Sequence, residues 1–151
     1  MITIDELKVQ LDSKSRLLGV DMGTKRIGIS ICDEKRIIAT PLETIEFTNI
    51  KSLASRFKEL ILENNIKGII FGLPLNMDGT EGPSAQSVKD KIKHIYNNLE
   101  IPIILWDERL STVGTFNLSS QLDINVSKRV KNIDQNSATF ILQGVLDYLN
   151  K

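Results

Sequence analysis

Leu17-Leu-Gly-Val-Asp21-Met-Gly23-Thr-Lys25-Arg26-Ile-Gly28-Ile-Ser-Ile31 sets two short apolar runs on either side of an acidic residue and a glycine-bearing turn. The runs, Leu17–Val20 and Ile27–Ile31, are rich in branched residues and bounded by turn formers, so each reads as a strand. A third, Ile37-Ile38-Ala39, follows after Asp33-Glu-Lys35. Connections this short join neighbouring strands, which makes a three-strand meander.

Beyond the meander the periodicity changes. Ile50, Leu53, Ala54, Phe57, Leu60 and Ile61 recur at steps of three and four, the stripe of a helix, with Thr48 or Asn49 placed to cap it. Ile66–Phe71 and Ile101–Trp106 are nearly continuous apolar runs flanked by helical segments, the pattern of buried parallel strands. Ala138, Ile141, Leu142, Val145, Leu146 and Leu149 put a last helix at about residues 137–149. The order is βββαβαβα. A dinucleotide-binding domain would open with a strand and a crossover helix, so this order points instead to an α/β ribonuclease H-like fold, a mixed sheet flanked by helices. Residues 16–151 are expected to form one such domain. Residues 1–15, with a weak stripe at Ile4, Leu7 and Leu11, form either a docked helix or a loose extension.

The 151 residues carry 19 basic and 19 acidic side chains, so any nucleic-acid contact must be local; Lys25-Arg26 and Lys128-Arg129-Val-Lys131 are the basic spots. No run approaches the roughly 20 apolar residues of a membrane span, and the start lacks a signal peptide's pattern. A cytoplasmic protein with no membrane partner is expected. The single Cys32 and single His94 rule against a structural zinc site, and both read as non-catalytic.

Three acidic positions stand out. Asp21 ends an apolar strand inside a glycine frame; a carboxylate there needs a partner to offset lost hydration, and a cation is one. Gly23 and Gly28 would let phosphate or metal come close to the backbone. Glu108 follows the most apolar strand in Trp106-Asp107-Glu108-Arg109, at the carboxyl edge where ligands of open α/β sheets collect, although Asp107 and Glu108 also suit a helix start. Asp134 stands just before the expected last helix, where it equally suits an N-cap. Oxygen donors of this kind fit Mg²⁺ or Mn²⁺. Lys25, Arg26 and Arg109 are placed to hold phosphates. The loop Gly72-Leu-Pro-Leu-Asn76-Met-Asp78-Gly79-Thr-Glu-Gly82-Pro83 is long enough to suggest substrate contact, with a helix capped near Ser84 behind it. Trp106 reads as core, with base stacking as the alternative.

Taken together, Gly19–Gly28, Gly72–Thr80, Asp107–Thr112 and Ile133-Asp134-Gln resemble the YqgF family, described as Holliday junction resolvases and, in bacteria, as nucleases that mature the 5′ end of pre-16S rRNA. The resemblance covers nearly everything after Arg16. It implies catalytic, metal-binding acids at Asp21, Glu108 and Asp134, Mg²⁺ or Mn²⁺ as cofactor, substrate contacts at Gly23, Lys25, Arg26, Asn76 and Arg109, and pre-rRNA, branched DNA or the ribosome as partner. The chain departs from the family's usual pattern at Gly114-Thr115 and at Ser137-Ala138-Thr139. Three alternatives stay open: a junction resolvase, which should be a homodimer where an rRNA nuclease can be a monomer; a non-catalytic ribosome-assembly or nucleic-acid-binding factor; and an actin-like ATPase lobe, in which the Asp107-Glu108-Arg109 segment would have no role.

Overall fold

The computed structural model describes residues 1–107 and 126–151, with side chains placed outside 126–135. After a short helix α1 (Ile4–Gln10) come β1 (Arg16–Met22), β2 (Arg26–Cys32) and β3 (Ala39–Glu46). Then follow α2 (Ile50–Asn64), β4 (Ile66–Leu73), α3 (Pro83–Tyr96), β5 (Ile103–Asp107) and α4 (Val126–Leu149). From Arg16 onward this is the expected βββαβαβα order. The sheet runs β3-β2-β1-β4-β5; the meander pairs are antiparallel, whereas β1–β4 and β4–β5 are parallel.

Side-chain alternation along the strands divides the core in two. Leu18, Val20, Ile29 and Phe71 face α2 and α3, where Phe57 meets Phe71 edge-on at 6.0 Å between ring centroids. Leu17, Cys32, Ile70 and Ile104 face the other way, onto Leu7 of α1 and Ile141, Leu142 and Val145 of α4. A central strand pair covered on both faces explains why β1 and β4 read as continuous apolar runs. Residues 1–15 therefore include a docked helix: Thr3 accepts the Glu6 amide at 3.2 Å and Leu7 is fully buried. Among the described residues no helix is long and apolar enough to cross a membrane.

Three boundaries differ from the sequence reading. The third strand begins at Ala39, so Ile37 and Ile38 precede it, 53% and 60% exposed. Arg36 turns the chain with φ 55°, and the Asp33 carboxylate takes the Ile37 and Ile38 amides at 2.7 and 2.9 Å, so those amides are spent on the turn and not on a ladder. The actual strand contains Pro41 and alternates weakly, which an edge strand tolerates. Next, α3 starts from Gly82 with Pro83 in its first turn, and no side chain caps it. Pro is preset for that position and has no amide to satisfy, so Ser84 lies inside the helix. Finally, α4 begins eleven residues before Ser137, at Val126. Upstream of Ser137 the apolar spacing continues thinly, at Ile133, Val130 and Val126 in steps of three and four, among polar and charged residues that hid it from the sequence reading.

Candidate active site at the carboxyl edge of the sheet

Asp21 is the next-to-last residue of β1, half-buried, at the end where the parallel strands β1, β4 and β5 all finish. Alternation puts it on the α4 side, with Leu17 and Gly19. Its antiparallel partner is Gly28, which adds no side chain beside it. The next pair along, Gly19 and Ser30, shows how close α4 comes. A Cβ at Gly19 would lie 2.5 Å from Ser30 Oγ, 2.7 Å from Leu142 Cβ and 2.8 Å from the Ala138 carbonyl oxygen. Ser30 Oγ itself donates to that carbonyl at 2.7 Å. Small residues on adjacent strands thus seat the helix against the sheet.

This contact sets the backbone geometry of the acidic edge. Because Ala138 lies over Gly19 and Ser30, whereas Gln143 accepts from the amide of Ala39, the partner of Cys32 at the Leu17 end of β1, the helix runs opposite to β1. Moving from Gly19 to Asp21 advances about 6.6 Å along the strand. Moving from Ala138 back to Asp134 retreats about 6 Å along the helix. Asp134 thus occupies the turn of α4 next to the strand end that carries Asp21. It also lies eight residues inside a helix that starts at Val126, which removes the N-cap as an account of it.

Glu108 and Arg109 lie outside the described residues, as does the side chain of Asp134; β5 ends at Asp107, the partner of Leu73. Ile103 and Leu105 belong to the α2/α3 side and Ile104 and Trp106 to the α4 side, so the alternation puts Asp107 opposite the face of Asp21. Trp106 packs on α4, 6.1 Å from the Tyr148 ring, which favours its core reading. Among the described residues no group of three or more potential metal ligands is found. The donor chemistry at Asp21 is nonetheless that of a hard divalent cation: it is a half-buried carboxylate, the Cys32 thiol is at the far end of β2, and His94 is on α3. Burial also pushes that thiol up from its ordinary value, so it stays protonated.

Gly23 of the glycine frame also has a steric task within its own turn. A Cβ on Gly23 would sit 2.3 Å from the Arg26 carbonyl oxygen, so this glycine is required to close the β1–β2 turn. The turn exposes Thr24, Lys25 and Arg26. These three, with Glu46, Phe47 and Thr48, line a cavity of about 730 Å³. A second cavity of about 430 Å³ joins Asp21, Gly23 and Thr24 to Ser84, Ser87 and Lys91 of α3. Lys91 lies over the Phe47 ring at 4.8 Å. Sequence reasoning left out Lys91 and Ser87 and took Ser84 only as a helix cap; their helical spacing was the available signal.

The loop after β4 has order of its own. Leu75 and Glu81 form a bridge, Gly79 takes φ 88°, and the Asp78 carboxylate accepts from the Thr80 amide at 2.9 Å and its hydroxyl at 2.6 Å. Exposed Asn76 donates to Thr80 Oγ1 at 3.1 Å, so its side chain holds the loop together. The length of this loop is therefore accounted for in part by its own internal bonds. The basic run Lys128–Lys131 falls in the early turns of α4, where side chains are not described.

The family sequence model described as RuvX, Holliday junction resolvase, matches residues 15–148. The chain belongs to this family. RuvX is the YqgF family of the sequence resemblance. A Pelagibacter ubique protein named "Putative pre-16S rRNA nuclease" is 59% identical over 99% of both chains. A Cereibacter sphaeroides protein of the same name is 43% identical over 98% of this chain and 92% of its own. The fold is also that of the Thermus thermophilus RuvC solved with a Holliday junction substrate, with TM-score 0.58, 11% identity, and 89% and 93% of the two chains covered. A fowlpox virus resolvase in complex with junction DNA matches at TM-score 0.52 and 14% identity over 90% of this RuvX chain and 99% of its own.

Proposed function

We propose that this RuvX-family chain is a divalent-metal-dependent nuclease that hydrolyses phosphodiester bonds in 5′-end processing of pre-16S rRNA. The observation that carries this reading is the position of Asp21, at the joint carboxyl edge of three parallel strands and beside the α4 turn that contains Asp134. Asp21, Glu108 and Asp134 would hold Mg²⁺ or Mn²⁺. When bound, such a cation makes a bound water more acidic and neutralises charge on the leaving oxygen.

The remaining work belongs to the protein's own groups. Lys25 and Arg26 project from the turn next to Asp21 and hold phosphates on either side of the scissile bond, with Arg26 suited to two-point contact. Gly23 keeps that turn closed, Arg109 adds a further cation, and Asn76 keeps the β4 loop in shape beside the strand end. Relatives named for pre-16S rRNA favour an RNA substrate, whereas the family description favours a four-way DNA junction.

One experiment separates these readings. A precursor rRNA 5′ end and a four-way DNA junction are offered side by side, with Mg²⁺ and with Mn²⁺, to wild type and Asp21→Asn. Cleavage of the RNA that Asp21→Asn abolishes is expected, with metal-free stability unchanged or raised, because one member of a mutually repelling cluster has become neutral. Symmetric junction cleavage in place of RNA cleavage selects the resolvase. Full cleavage by Asp21→Asn defeats the assignment of the site.

A further inference from the structure

We infer that the nucleic-acid strand continues from the Asp21 pocket along α3 into the groove between α2 and α3, which acts as an extended phosphate-binding track. This rests on the nuclease reading above and adds a substrate contact remote from the cleaved bond. The groove is a cavity of about 580 Å³ whose lining includes Lys51, Ser55 and Lys58 of α2, His94 of α3 and Asn98 just beyond it. No carboxylate lines it.

Helical spacing explains both walls. Lys51, Ser55 and Lys58 follow steps of four and three, so they share one side of α2. Ser84, Ser87, Lys91, His94 and Asn98 repeat the same steps along α3 and its exit. The first three of these face the cavity that contains Asp21, and the last two face the α2/α3 groove. Lys91, over Phe47, stands where the two regions meet. From Ser84 to His94 the stripe covers about 15 Å, a length that several nucleotides occupy.

Two other cations of these helices are already engaged. Arg56 pairs with Glu43 and Glu59, and Lys89 pairs with Glu81. Lys51 and Lys58 have no carboxylate partner among the described residues and are exposed. In a chain with no net charge, two helices that present lysines, serines, a histidine and an amide to a common groove make a surface for a polyanion. The hydroxyls and the ring of His94 supply phosphate contacts of the kind that position a backbone without reading its sequence.

Binding of single-stranded RNA of 4 and 12 nucleotides is measured in chelator across a salt series for wild type, the double variant Lys51→Ala/Lys58→Ala, and Arg56→Ala. Each phosphate contact contributes about 0.7 to the slope of log affinity against log salt. The double variant should lower the slope for the 12-mer by about 1.4 and weaken its binding roughly twentyfold at 0.1 M salt. The 4-mer should be unaffected by the double variant, and Arg56→Ala should match wild type on both. A DNA 12-mer should lose as much as the RNA, because the track contacts phosphates. Wild-type slope and affinity for the 12-mer in the double variant overturn the track and leave the nuclease reading standing. Failure of every oligonucleotide to bind in chelator also overturns the track, and cleavage of the precursor rRNA in Mg²⁺ by the same protein then leaves the nuclease reading standing.

Discussion

Gly19→Ala is the sharpest test of how the α4 contact supports the site. The added methyl would meet Ser30 Oγ at 2.5 Å, Leu142 Cβ at 2.7 Å and the Ala138 carbonyl oxygen at 2.8 Å, all closer than real contacts allow. Ser30 could swing aside, at the cost of its 2.7 Å bond to Ala138, in a place where its hydroxyl is fully buried. The other two atoms belong to α4 and move only with the helix. Overpacking of this kind costs about 1–3 kcal/mol. A buried hydroxyl left without its partner adds about 1–3 kcal/mol. A total of about 2–6 kcal/mol is expected, read as a fall in the urea midpoint at unchanged m-value. In the fraction that stays folded, nuclease activity should fall as well, because lifting Ala138 also lifts the turn that contains Asp134. Placed on Ser30→Ala, the same change should be milder, since the nearest of the three clashes is gone. If Gly19→Ala unfolds within about 0.5 kcal/mol of wild type and cleaves normally, α4 does not sit where this argument needs it.

Leu7 is fully buried against the α4 side of the sheet, so Leu7→Ala should cost about 2–5 kcal/mol; the loss is read by chemical denaturation, and an unchanged midpoint would make α1 an appendage. Asp33 should make stability pH-dependent. The Ile38 amide, with that of Ile37, holds its carboxyl below the ordinary carboxylate range, so its contribution is present above pH of about 4 and lost as pH falls through the lowered value. The midpoint difference between wild type and Asp33→Ala should therefore be full at pH 7 and shrink toward pH 3; a gap that stays constant with pH rules the mechanism out.

Where sequence and structure agree, one dominant force was at work. Burial on both faces made β1 and β4 unmistakable, and the stripe from Leu53 to Leu60 fixed α2 together with its Asn49 cap, which accepts the Ser52 amide at 2.8 Å. Where two forces compete, the pattern misleads. Ile37 and Ile38 have strand-forming side chains, but the Asp33 carboxylate captures their amides. Asp21 was legible because a lone charge at the end of an apolar run is conspicuous. Gly23 has a further reason that the sequence did not show, since a side chain there would meet the backbone of its own turn. Asp134 was the hardest, because the helix starts eleven residues before Ser137 on a thin stripe of Val126, Val130 and Ile133 set among polar residues, and only the Gly19 contact relates its turn to Asp21.

The Ser30–Ala138 bond joins residues 108 positions apart. During synthesis β1 leaves the ribosome long before α4, so the strand that carries Asp21 exists for most of translation with nothing seated on Gly19. If cleavage needs the acids of both elements, the growing polypeptide carries no nuclease until α4 has emerged and docked. Docking of the late helix is then the step that arms the enzyme.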